Sequence, residues 1–240
     1  MAWYDFFTPN SIPKHARRIA ERDAQAEDRQ ASASWLSEQG TPEALLALCK
    51  RFDLQLEHQL KDRTEKDQVI ELLVEHGTNG SAAARSHSQR SATYQHAIGV
   101  VARVEGATVA TTLLLDLLAK ESVENEFKPE KKRNVMMSLA ERRDARIVQA
   151  AAPFLADFDE GVRHAAIEAI AAQGSETGRD PLWSALISPR EESTRIRGRI
   201  AELFQQLHWQ LADDPWFDDH VPGGFAITST AGARFLIAAR

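Results

Sequence analysis

Residues 153–174, PFLADFDEGVRHAAIEAIAAQG, decide how the chain is read. They give the end of one helix, a tight acidic turn, and a second helix that stops at Gly174. Glycine is favoured just past a helix end because, lacking Cβ, it takes the left-handed conformation without a clash. The same stop recurs after helical patterns at Gly40, Gly77 and Gly106, so the spacings between successive stops are 37, 29 and 68 residues. Each of these glycines is followed within three residues by a serine or threonine suited to cap the next helix. The long gap is about two periods, with Asp144 standing where a glycine would end the intervening unit. A period in the thirties fits two helices of three to four turns with their links, so each unit is expected to be a helical hairpin that buries its apolar side against its neighbours.

Sliding the segment 61–77 forward by 97 residues supports the register. It pairs Asp62 with Asp159, Lys66 with Arg163, Ile70 with Ile167, Glu71 with Glu168, Leu73 with Ile170 and Gly77 with Gly174. A further slide of 34 residues pairs Val162 with Ile196, Arg163 with Arg197, Glu168 with Glu202 and Ile170 with Phe204. The unit repeats.

A proline in the first helix, an acid in the turn, and a hydrophobic residue followed by arginine opening the second helix are Pro153, Asp157, Val162 and Arg163. This pattern resembles the HEAT repeat. The resemblance covers residues 41–209 and is strongest over 144–209, where Glu191, Ile196 and Arg197 keep the same acid-to-arginine spacing. It implies an all-α fold, a right-handed α-solenoid of about five helical hairpins. It also implies that Asp157, Arg163, Glu191 and Arg197 form a structural ladder linking neighbouring repeats.

The expected layout has three parts. Residues 1–40 hold an aromatic segment and one long polar capping helix from Pro13 to Gln39. Residues 41–209 hold the repeats, with helix pairs near 42–52 and 64–76, 81–89 and 91–104, 107–120 and 129–141, 144–156 and 160–173, and 179–187 and 193–209. Residues 210–240 form an acidic linker and an extended or β-hairpin tail, because GFAITSTAGARFLIAAR is rich in Phe, Ile and Thr with small residues around Gly232.

Composition narrows the function classes. With 43% hydrophobic and 27% charged residues, the 240-residue chain has the balance of a soluble folded protein. No apolar run approaches the roughly 18 residues of a membrane-spanning helix, and no signal-type leader opens the chain, so a cytoplasmic setting is expected. A formal net charge of -6 argues against nucleic acid binding through global charge. The single cysteine, Cys49, lies among leucines, so a buried inert thiol is expected and neither a disulfide nor a cysteine zinc site can form within the chain.

Candidate chemistry is sparse. There is no phosphate loop, no GxSxG and no HExxH. His164 and Glu168 stand four apart on one helical face, and HEAT-like hydroxylases hold iron on repeated histidine-glutamate pairs, but the matching positions here are Asp67 with Glu71 and Gly198 with Glu202. Asp213, Asp214, Asp218, Asp219 and His220 match no defined metal spacing and read as an acidic linker. No cofactor or metal is expected.

Interaction signals are stronger. Lys128, Lys131, Lys132, Arg133, Arg142, Arg143 and Arg146 gather in one stretch, and second helices of successive repeats line one face. Lys132, Arg133, His164 and Arg199 are therefore the expected partner-binding strip, facing an acidic patch on another protein. Trp3, Tyr4, Phe6 and Phe7 form an aromatic segment that either folds back on the capping helix or docks a partner. The expected class is a non-enzymatic protein-protein scaffold. The alternative classes are a HEAT-like nucleic-acid-binding protein or DNA glycosylase-like enzyme and, after them, a metal-dependent HEAT-like hydroxylase.

Overall fold

Helices account for nearly all regular structure in the computed structural model, which describes residues 11–124 and 129–239. The chain divides into two compact units, Met1–Leu113 and Leu114–Arg240. The aromatic segment Trp3, Tyr4, Phe6 and Phe7 lies outside the described residues, as does Lys128.

The first unit contains α1 (Ile12–Ile19), α2 (Ala26–Gln39), α3 (Pro42–Leu48), α4 (Gln59–Glu75), α5 (Gly77–Arg90), α6 (Gln95–Glu105) and the start of α7 (Ala107–Leu118). First helices α1, α3 and α5 pack in one row, and second helices α2, α4 and α6 in the other. Leu36, Leu45, Leu48, Phe52, Leu73, Tyr94 and Val101 fill the space between the rows and are essentially inaccessible to water. Burial of large apolar side chains, at about 25 cal/mol per Å², is the main stabilising term.

The expected single capping helix is in fact a hairpin. The chain leaves helical geometry after Ile19 and re-enters it at Ala26, and α1 and α2 then lie against α3 and the second row as one repeat lies against the next. No glycine or proline marks this break. The cause is Arg29, whose Nη1 donates to the carbonyls of Glu21, Arg22 and Ala24 and so takes up groups freed where α1 ends.

Gly40, Gly77, Gly106 and Gly174 all have positive φ, as the stop-signal reading requires. The capping expectation holds only at Thr41, whose hydroxyl accepts from Ala44 N at 3.2 Å. Helices α5 and α7 begin at Gly77 and Ala107, ahead of Thr78 and Thr108, and Ser175 makes no side-chain cap. Helix α5 starts directly off α4, and Gly80 allows it: a Cβ there would stand 1.9 Å from the carbonyl oxygen of Leu73.

The second unit holds the rest of α7, then α8 (Pro129–Ala140), α9 (Arg146–Ala151), α10 (Glu160–Ala172), α11 (Arg179–Leu186), α12 (Thr194–Gln206) and α13 (Pro215–Asp219), with β1 (Phe225–Thr230) and β2 (Ala233–Ala238) at the end. Pro153 lacks the N–H that α9 needs to continue, and the chain tightens into a 3₁₀ turn over Ala152–Ala156. Asp159 and Ser193 then cap the second helices α10 and α12 through the N–H groups of Val162 and Ile196. Strands β1 and β2 pair antiparallel, Thr230 opposite Ala233, across a two-residue turn in which Ala231 and Gly232 both have positive φ. The hairpin is fastened to the last repeat by the Leu211 N–H on the carbonyl of Arg234 at 2.8 Å and by Leu236, which is buried. Trp183, Phe204, Trp209 and Phe217 form the aromatic cluster beneath it, with ring centroids 5.0–5.7 Å apart.

Three histidines of the first unit share one property. Burial holds His15 below its ordinary value of 6.5, helped by Lys14 and Arg18. His15 stacks on Trp35 at 4.2 Å, and neither ring nitrogen has a hydrogen-bond partner among the described residues. Burial likewise lowers His87, against the opposing charge of Asp53, and lowers His96, where Lys66 and Arg51 assist and Asp62 and Asp67 oppose. Both rings lie on Phe52. A folded-state pKa below the unfolded one means that the unfolded chain binds protons first on acidification. Stability is therefore fully present above pH 6.5 and is lost progressively as pH falls below it. Urea midpoints at pH 7.5 and 5.5 should show a lower midpoint at the acidic value, and His96→Phe should narrow the gap. Equal midpoints would exclude the effect.

Candidate interaction surface

The second unit is threaded by rungs of charge that run from one repeat to the next. Lys132 on α8 donates to Asp157 Oδ2 at 2.6 Å, with both side chains essentially inaccessible. Arg163 on α10 makes a two-point bond to Glu191, Nε to Oε2 at 2.7 Å and Nη2 to Oε1 at 3.1 Å. Arg197 on α12 donates to the carbonyls of Glu191 and Ser188, and its guanidinium lies 4.5 Å from the centre of the Trp216 ring. In each rung a cation on one second helix therefore reaches the turn of the next repeat, until the last, where an indole takes the place of the acid. Arg163 meets Asp157 only through the carbonyl oxygen of that residue. The Asp157 carboxylate accepts from Lys132 and from the N–H of Asp159, while Glu191 also accepts from the N–H of Ser193.

This arrangement corrects one expected strip residue. Lys132 sits on the buried stripe of α8 with Val135, Met136 and Leu139, and is unavailable to a partner. The other three residues come together. Helix α10 presents Gly161, His164 and Glu168 at i, i+3 and i+7, which is one face. Arg133 of α8 packs over Gly161, where a Cβ would meet its Cδ at 2.9 Å. Arg199 of α12 grips Glu168 at 2.6 and 3.0 Å and also bonds Glu202. His164 lies between them, its Nε2 3.8 Å from Glu168.

The strip is not uniformly basic. The Arg199 guanidinium holds the Glu168 carboxyl below its ordinary range, and Glu168 in turn raises Arg199. Beside them, Arg195 bonds Glu160 at 3.2 Å, and Glu130 stands 3.8 Å from Arg133. The exposed face is thus a set of paired charges. The first unit carries the same device, in which Arg103 of α6 bonds Glu71 of α4 at 2.6 and 2.8 Å, Glu71 being the position that registers with Glu168. The acid partners stood in the sequence 31 or 32 residues before each arginine, a spacing that could have found them.

The residues singled out for other chemistry are engaged in structure. Arg234 bonds Asp213 at 2.9 Å and also Asp218, while Asp214 caps α13 through Phe217 N. His220 stacks on Trp216 and contacts its carbonyl. Burial pushes the Cys49 thiol up to about 12, too high for a nucleophile near neutral pH. Among the described residues no group of three or more His, Cys, Asp and Glu is placed to hold a metal ion. No described helix is long and apolar enough to cross a membrane.

The second unit also contains an open cleft of about 860 Å³ on its other layer, between the 3₁₀ turn after α9 and helix α11. Leu155, Ala156, Phe158, Pro181 and Ala185 supply its apolar lining.

Comparison with protein families matches residues 122–201 to the family described as HEAT repeats. Comparison with curated proteins and with solved structures gives no match.

Proposed function

We propose that this chain, of which residues 122–201 match the HEAT-repeat family, acts as a non-enzymatic scaffold that binds another protein through the second-helix face of its C-terminal unit. HEAT repeats serve generally as protein-interaction scaffolds. The observation that supports the reading is the strip in which Arg133, His164 and Arg199 are brought onto one face of α10 by three consecutive second helices. Side chains already fixed by ion pairs lose little conformational freedom when a partner arrives, so more of the contact energy remains as affinity. Arg133 is the most accessible of the three at 39%, and its contact with Glu130 is long. It is the natural seat for a partner carboxylate, which is the acidic element of the proposal. The rest of the strip is charge-paired, so recognition depends on fit more than on long-range attraction. We place this binding in the cytoplasm.

The test is a partner captured from the native host and titrated against wild type and the double variant Arg133→Ala, His164→Ala. These residues lie outside the buried rungs, so helical content should be unchanged. Affinity should fall about tenfold or more, the range of a modest interface hot spot. An unchanged dissociation constant would remove the strip from the interface.

A further inference from the structure

The cleft of about 860 Å³ lies on the layer of first helices, away from the strip just described, and nothing in the scaffold reading uses it. One lip is Phe158, 71% exposed. Its position follows from the turn: Asp157 on one side is committed to Lys132, Asp159 on the other caps α10, and the Phe158 carbonyl accepts from Arg163, so the benzyl side chain is left in water. Leu155, Ala156, Pro181 and Ala185 continue the apolar surface inward. The opposite lip carries Arg190 and Glu192, both exposed and neither in an ion pair among the described residues.

We propose that this cleft is a docking groove for an amphipathic helix of a protein partner, with Phe158 as its anchor on this side. Charge selects what enters. The two carboxylates in the wall, Asp157 and Glu191, are already neutralised by Lys132 and Arg163. A charged insert would therefore be buried there without a counterion, which is unfavourable. Apolar side chains enter without that cost, while Arg190 and Glu192 at the lip receive an acid and a base flanking the apolar stripe. Backbone chemistry selects the helix. The walls are a 3₁₀ turn, α11 and the turns at 157–158 and 188–192, none of them a strand with an open edge, so an extended segment would find no edge to pair its amides with, whereas a helix satisfies them internally. The volume is within the roughly 300–1,000 Å³ of ordinary binding pockets, enough for several side chains.

The probe is a displayed library of 16-residue peptides with Leu, Phe or Met at i, i+3, i+4 and i+7 and the other positions randomised, selected on the full chain. Recovered peptides should bind wild type and lose at least about tenfold in affinity to Phe158→Asp and to Ala156→Arg, which alter two exposed side chains. Ser184→Arg, on the opposite wall, gives an independent block should either variant melt early. Arg190→Glu should reverse the preference for an acid at the flank. Arg133→Ala with His164→Ala should bind these peptides as wild type does, so failure of the scaffold strip and failure of the groove are separate results. Failure to recover a wild-type binder, binders indifferent to all three groove variants, or binders that tolerate a central proline would overturn the proposal.

Discussion

Glu65→Ala should lower the stability of the first unit by about 3–5 kcal/mol, the loss expected when one partner of a buried ion pair is removed. Glu65 receives two guanidiniums at once, Arg29 at 2.8 and 2.9 Å and Arg51 at 2.9 Å. Arg51 is 1% exposed and Arg29 is 5% exposed. Burial alone would raise the Glu65 carboxyl, but the bonds from Arg29 and Arg51 outweigh it and hold the group below its ordinary value. Without the carboxylate, Arg51 retains Asp62 and the Leu54 carbonyl, whereas Arg29 retains only backbone carbonyls. The break between α1 and α2 depends on Arg29, so the first hairpin should lose amide-exchange protection before the rest. The measurement is thermal melting together with peptide-resolved hydrogen exchange. Unchanged melting would show that the cluster contributes nothing net, and loss of protection spread evenly would separate it from the hairpin.

Asp157→Ala is expected to destabilise the second unit by a comparable amount, about 3–5 kcal/mol, because Lys132, at 1% exposure, would lose the carboxylate that it meets at 2.6 Å. The arrangement predicts an asymmetry. Lys132→Met combined with Asp157→Leu removes both charges and keeps the volume, so it should recover a substantial part of the loss. Recovery should be incomplete because the N–H of Asp159 also relies on the Asp157 carboxylate. Thermal melts of the single and double variants decide the matter. A double variant no more stable than Asp157→Ala would show that packing or the Asp159 contact, and not the stranded charge, sets the cost.

Much of the repeat geometry was legible because each hairpin is written in local chemistry. Glycines at 40, 77, 106 and 174 ended helices, and the richness in Phe, Ile and Thr after Gly224 marked the terminal strands. The break within the first helix was not legible, because the residue that stabilises it, Arg29, is itself held in place by Glu65, which is 36 residues away. Lys132 was assigned to the surface because it stands in a basic run. Its position told otherwise: 132, 135, 136 and 139 follow helical spacing, and the lysine falls on the apolar stripe. The charge balance of the strip was missed for a related reason. Arg199 was counted as a cation, but Glu168 and Glu202 lie within reach once repeats are stacked, and stacking is a tertiary fact.

Arg197 ends its run against Trp216, and that has a bearing on how such a protein can change in length. Every earlier cation in the series needs a carboxylate from the following repeat, so a hairpin duplicated upstream brings both halves of the bond with it and joins smoothly on either side. A hairpin added after α12 would have to displace an indole and the strands behind it before its own acid could reach Arg197. Duplication is therefore easier at the two junctions where Lys132 meets Asp157 and Arg163 meets Glu191 than after α12, where Trp216 occupies the place of an acid.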